Sequence, residues 1–428
     1  MGWHDYTYII VIYARHSPQH ESANSMINFR DLAQALMPQL VAWRRDFHQH
    51  PELGFEEVRT ADIVAAHLRN LDIETHVGVG KTGVVGLVRG SGPGPTVLLR
   101  FDMDALPIQE QSAAPYASQR PGRMHACGHD AHTAMGMGVA QLLAHTREQW
   151  PGQVKLLFQP AEEGLGGALA TIRDGVLMNP RPDAAFALHV WNQAALGTLT
   201  VQAGPFMAAA DRFEIEIIGH GGHGAAPEDT IDALLIGAQV VNALHHIISR
   251  NIPPHETAVL SLGSFHAGNA FNVIAQRATL SGTLRTFEPA IRNTLIERMG
   301  QVLEGICTAY GASYTFNLIE AEYTPAVRND PRMAEIARQA ASNLFEPQQI
   351  IQIRPMMVSE DMSEILNRVP GCYIMLGAEP ETGALGSHHN PKFDINEEVL
   401  PLGTALMAQI ATHFLLDGTS AASPTLMI

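Results

Sequence analysis

Three short runs, 96–101, 154–158 and 184–188, are almost continuously apolar. Runs of that length without a polar alternation predict strands buried on both faces. Between and around them the apolar positions recur at helical spacing. The stretch 36–48 carries Pro38 near its start, 56–71 places Ile63, Val64 and Leu68 on one face, and 131–145 follows the same period. Alternating helices and buried strands predict an α/β fold with a mostly parallel central sheet flanked by helices. The pattern changes near Pro205. Arg212, Phe213, Glu214, Ile215, Glu216 and Ile217 alternate strictly between polar and apolar, as expected of an antiparallel strand with one solvated face. A helix over 231–249, strands over 258–263 and 278–285 and a helix over 289–310 follow. Beyond these the α/β pattern resumes with a helix at 331–344, a strand at 372–376 and a helix at 397–415. The chain therefore divides into a loose N-terminal extension (1–27), a first part of the α/β domain (28–207), an inserted α+β domain with an antiparallel sheet (208–318) and a second part of the α/β domain (319–428).

Composition narrows what such a fold does. With 428 residues there is enough chain for a large core. A formal net charge of -16 repels phosphate backbones, which argues against nucleic acid as a partner. Cys127, Cys307 and Cys372 are far apart and odd in number, which argues against a disulfide framework and for a reducing compartment, the cytoplasm. The apolar stretch 6–13 is too short to span a bilayer and lacks the basic start of a signal peptide, so no membrane is expected. Residues 1–27 read as an extension outside the folded unit, with Met26 as an alternative start.

Each buried run ends in residues suited to holding a metal. The first leads into Asp102 and Asp104, the second into Glu162 and Glu163, the third into His189. In open α/β sheets, sites form outside the carboxyl ends of the strands. Between the first two lies Cys127-Gly128-His129-Asp130, just before a helix. A thiolate and an imidazole two positions apart in a glycine loop can face one ion, and Asp130 is expected to cap the helix. A single cysteine is ordinarily a small core hydrophobe, and an acid pair is ordinarily solvated. The coincidence of three strand ends and one loop favours a metal site. The glycine-rich turn 219–224 mimics a dinucleotide fingerprint, but Pro227 follows at once and no acid stands within 233–250 to hold a ribose.

These motifs resemble the aminoacylase and carboxypeptidase family of metal-dependent amidohydrolases, in its hippurate hydrolase and indole-acetyl–amino-acid hydrolase branch. The resemblance covers about residues 36–415. It rests on Arg44-Arg45-Asp46-Phe47-His48-Gln49-His50-Pro51-Glu52, Asp102-Met103-Asp104-Ala105-Leu106-Pro107, His125-Ala126-Cys127-Gly128-His129-Asp130 and Gln159-Pro160-Ala161-Glu162-Glu163. It continues through Gly222-His223-Gly224, Asn272-Val273-Ile274, Gly282-Thr283-Leu284-Arg285 and His389-Asn390-Pro391.

The resemblance implies two divalent ions (Mn, Zn, Co or Ni) held by Cys127, His129, Glu163, His189 and His389. It implies Glu162 as the proton shuttle and Asp104 as a residue that orients a ligand. The insertion becomes a lid whose His223, Asn272 and Arg285 face the substrate, with His223 on the oxyanion and Arg285 on a carboxylate. The expected reaction is hydrolysis of the amide bond of a small N-acyl amino acid, and homo-oligomers through the lid are compatible with it. Two alternatives are a dipeptidase or aminopeptidase on the same scaffold, and a catalytically dead metal- or ligand-binding protein.

Overall fold

The structure is a computed structural model that describes residues 27–418, apart from 382 and 384. All of the expected N-terminal extension but Ile27 lies outside the described residues.

An eight-stranded sheet carries the first layer of the fold. Its order is Glu74–Val79, Gly83–Arg89, Gln153–Gln159, Thr96–Asp102, Ala184–Trp191, Gly371–Gly377, Leu199–Thr200, Ile350–Ile351. The four middle strands, Gln153–Gln159 to Gly371–Gly377, run parallel, while both flanks bring in antiparallel pairings, so the sheet is mixed. The three apolar runs of the sequence are three of those middle strands. Their residues are almost fully buried, because helices cover both faces. The helix His129–Thr146 packs directly on the sheet. A Cβ on Gly136 would come within 2.7 Å of both the Phe101 and Phe158 rings, so the helix approaches the sheet where only hydrogen faces it. The C-terminal helix Val399–Gly418 is long and apolar enough to cross a membrane, but most of it is buried against Phe29–Ala35, His129–Thr146 and Pro331–Ala341.

A separate four-stranded antiparallel sheet has the order Ala258–Ala267, Arg277–Thr286, Ala209–Ile218, Ser313–Leu318. The alternation seen in the sequence has its cause here. Phe213, Ile215 and Ile217 are buried under the helices Ala233–Asn251 and Pro289–Ala309, with Val240, Leu244, Met299 and Leu303. Glu214 and Glu216 point to the uncovered face. The turn after Ile218 leads into a two-stranded ribbon, Gly222–His223 against Val273–Ile274, rather than into a helix.

Candidate metal centre

The parallel strands deliver their polar ends to one place. Asp102 closes Thr96–Asp102, Gln159 closes Gln153–Gln159 two residues before Ala161, and His189 sits near the end of Ala184–Trp191. Across from them, Gly128 adopts φ +88, and a Cβ there would meet Val190 at 2.5 Å. That left-handed residue, open to glycine at no steric cost, turns the chain so that Cys127 and His129 point the same way. It also starts the helix at His129 with Gly128 in the capping position. Asp130 therefore does not cap the helix, as the sequence suggested. It lies in the first turn, fully buried, with its Oδ2 taken by Arg44 and His48.

The five residues assigned as ligands come together. Single ligand atoms of Cys127, His129 and Glu163 all lie within 4.8 Å of one another. Cys127 Sγ is 3.5 Å from His189 Nε2, and His389 Nε2 is 3.2 Å from Glu163 Oε1, though without hydrogen-bond geometry. The unused atoms are the informative ones. His129 places Nδ1 2.9 Å from the Asp104 carbonyl oxygen and 3.3 Å from Asp104 Oδ1, and His189 places Nδ1 2.7 Å from the Val190 carbonyl. Each ring thus turns its Nε2 to the centre, as a ligand held from behind does. His129 Nε2 and Glu163 Oε1 are buried without a hydrogen-bond partner, a costly state that a cation resolves. The donor set of one sulfur, three imidazoles and one carboxylate fits a divalent transition ion.

Electrostatics point the same way. Burial lowers His129, but Asp102, Asp104 and Glu163 outweigh it and push its pKa up to about 10. These carboxylates call for positive charge at this spot. Burial, then Glu163, Glu162 and Asp102, hold the Cys127 thiol well above its usual range. Without a cation Cys127 is a thiol and a poor nucleophile. Burial and the neighbouring His132 and His388 keep His189 neutral.

Glu162 lines the same cavity, of about 370 Å³. Burial, then Glu360, Glu163 and Asp361, push it well above the ordinary carboxylate range, with Arg100 opposing. Asp104 Oδ2 also accepts the Glu163 backbone N–H at 3.0 Å, so one carboxylate orients two assigned ligands. Ala161, just before the acid pair, has φ +54. Its N–H is held at 2.8 Å by the buried Glu57, which fixes the turn that aims Glu162 and Glu163.

Arg285 borders the cavity from the antiparallel sheet, half-buried, and its guanidinium makes no hydrogen bond or ion pair among the described residues. His223 and Asn272 sit elsewhere. They are exposed on the small ribbon, tied by the Gly224 N–H to the Asn272 carbonyl, and do not line the cavity.

Several groups were not anticipated. His132 is near the ligands, but its Nδ1 is bonded to Asp102 at 2.5 Å and its Nε2 accepts the Val190 N–H, so neither nitrogen is free. His388 stacks on Trp191 at 4.3 Å with Nε2 3.1 Å from the Val190 carbonyl. Arg100 is buried and bonds Asp102, Glu360 and Asp361. An arginine inside a buried strand was the available signal that acids gather around it, but nothing in the sequence named Glu360 and Asp361.

The model of Peptidase family M20/M25/M40 matches residues 98–413. The chain belongs to this family. An IAA-amino acid hydrolase ILR1-like 4 of Arabidopsis thaliana is 40% identical over 381 residues, covering 88% of this chain and 86% of that protein. An N-acetylcysteine deacetylase of Bacillus subtilis (strain 168) is 38% identical, covering 88% and 97%. Among solved structures, a Bacillus subtilis protein described as a dinuclear metal-binding peptidase of the M20 family superposes with a TM-score of 0.78 at 36% identity, covering 90% of this chain and 99% of that one. The chain is a metal-dependent hydrolase of the M20 family, and its reaction class is amide hydrolysis.

Proposed function

We propose that the chain hydrolyses the amide bond of N-acyl amino acids, releasing a carboxylic acid and a free amino acid, with two divalent ions held by Cys127, His129, Glu163, His189 and His389. When bound, the ions supply positive charge that activates a water, polarises the substrate carbonyl and offsets the acids around Glu162. Glu162 takes the proton of the attacking water and delivers it to the leaving amine nitrogen. Its crowded setting makes the proton easy to hold between the two transfers. Asp104 keeps His129 and Glu163 in place. Arg285 binds the substrate carboxylate, which the net charge of -16 would otherwise repel.

The observation that carries this reading is the cavity itself. It has a paired acid beside orphaned ligand atoms at one end and, at the other, a guanidinium unpaired among the described residues. An aminopeptidase would also need an anion for a free substrate ammonium. Glu360 and Asp361 are instead committed to Arg100. The three cysteines are free and buried, which fits the cytoplasm. His223 and Asn272, exposed beside Phe271 and Val273, serve a substrate only after the lid moves or from a second copy joined through the lid. The test is a screen of N-acetyl, N-benzoyl and N-indoleacetyl amino acids against free dipeptides, with Mn, Zn, Co and Ni supplied in turn. Turnover of acyl amino acids above dipeptides is expected. The reverse preference would assign the chain to peptide cleavage.

A further inference from the structure

The assigned ligands come from segments far apart in the chain, and something outside the cavity must hold those segments in register. His129 is followed directly by Asp130, and His389 is followed, past Pro391, by Asp394. Both carboxylates meet one guanidinium that does not line the cavity. Arg44, on the helix Met37–Gln49, donates from Nε to Asp130 Oδ2 at 2.9 Å, from NH2 to Asp394 Oδ1 at 2.8 Å and from NH1 to Glu397 Oε1 at 3.2 Å. Its side chain is entirely buried. Tyr116 supports it, with its hydroxyl donating to Asp394 Oδ2 at 2.8 Å and its ring 4.6 Å from the guanidinium carbon. A third ligand-bearing segment joins the same loop, because Asn192, just past the strand Ala184–Trp191, donates to the carbonyls of Gly386 at 2.7 Å and Asp394 at 3.1 Å.

We propose that Arg44 is a positioning residue for the metal centre. Its three arms fix the His129 turn and the His389 loop relative to each other, so that ligands from both reach the same ions. The inference rests on the ligand assignment made under the proposed function. A planar fork with fixed donor directions can hold two carboxylates at set angles, and a flexible ammonium cannot. Groups that orient ligands from behind typically affect metal affinity or activity by about 10–100-fold.

The measurement is affinity for Zn(II), and separately Mn(II), by competition with a fluorescent chelator, alongside melting temperature and circular dichroism. Arg44→Lys is expected to weaken binding by about 10–100-fold while the fold is retained. Asp394→Asn removes the charge that pairs with Arg44 and the Oδ2 acceptor of the Tyr116 hydroxyl, and is expected to cost about tenfold, at the low end of the same range. Asp394 is one-third exposed, so this variant carries the test if Arg44→Lys does not fold. Arg45→Ala is the control. Arg45 binds Glu397 at 2.9 and 2.6 Å but touches neither Asp130 nor Asp394, and it is half exposed. Its loss is expected to leave affinity unchanged. Cys127→Ala and His389→Ala test the underlying assignment. If both bind metal as the wild type does, the ligand reading fails. If both lose metal while folded Arg44→Lys or Asp394→Asn binds as the wild type, the positioning role is overturned.

Discussion

The residues assigned to hold metal and the residues assigned to hold substrate sit in opposite surroundings. The metal side is buried and braced. His129 and His189 are each held through Nδ1, Glu163 through its N–H, and the segments behind them through Arg44, His132 and Arg100. The side of the antiparallel sheet is open. Arg285 reaches the cavity as a half-buried cation with no partner among the described residues, while His223 and Asn272 stand in solvent next to Phe271. The difference follows from the work of each region. Ligands must be preorganised before an ion arrives, whereas groups that recognise a substrate must leave it room to enter.

Breaking the braced side should have the largest effect. Glu162→Gln is expected to lower turnover by about 10²–10⁴-fold while metal content stays near the wild-type level. Glu163→Gln is expected to lose metal. Exchange of the two phenotypes, read by elemental analysis and a hydrolysis assay, would invert the roles of the pair.

The pH dependence of metal binding sharpens the same contrast. Both His129, at about 10, and the Cys127 thiol have raised pKa values, so both carry a proton at neutral pH in the metal-free protein. Metal must displace these protons, so affinity rises with pH, by up to about tenfold per pH unit for each proton displaced. Calorimetry in buffers of different ionisation enthalpy should detect proton release. Binding that neither releases protons nor strengthens with pH would contradict ligation by these two groups.

On the antiparallel sheet, Arg285→Ala is expected to cut kcat/KM for an N-acyl amino acid by about ten- to more than a hundred-fold, the worth of a charge-assisted fork. The loss should be much smaller for the corresponding amide, which lacks the carboxylate. Arg285→Lys should recover only part. Equal losses on acid and amide would mean that Arg285 shapes the lid without touching substrate. The smallest effect is expected at the ribbon. Phe271 is fully exposed, and Phe271→Asp should weaken self-association in analytical ultracentrifugation, leaving the melting temperature near the wild-type value. A wild-type monomer at all concentrations would remove the second-copy route for His223 and Asn272.

Sequence pattern reached the two regions unequally. Apolar runs and the ligand-type residues at their ends are local signals, so the middle strands and the cluster around Cys127, His129, Glu163 and His189 were legible. His389 needed the family motif, because His388 beside it offers the same chemistry. The hairpin Glu74–Val79 and Gly83–Arg89 was missed. Its first strand is mostly exposed, and glycines interrupt the pattern at 78, 80 and 83. The supporting networks were invisible for a different reason. Arg100 meets Asp361 across 261 positions and Arg44 meets Asp394 across 350, and no periodicity records such pairings. Asp130 was assigned to the cap because its type suits one. The left-handed Gly128 starts the helix earlier and frees Asp130 for Arg44.

Amide hydrolysis here is expected to run on two bound divalent ions. The direct measurement is turnover of an N-acyl amino acid by chelator-stripped enzyme titrated with Mn, Zn, Co or Ni, with metal content determined at each point. No turnover is expected in the stripped protein, and recovery is expected to saturate at two ions per chain. Full activity in rigorously metal-free protein would contradict the claim.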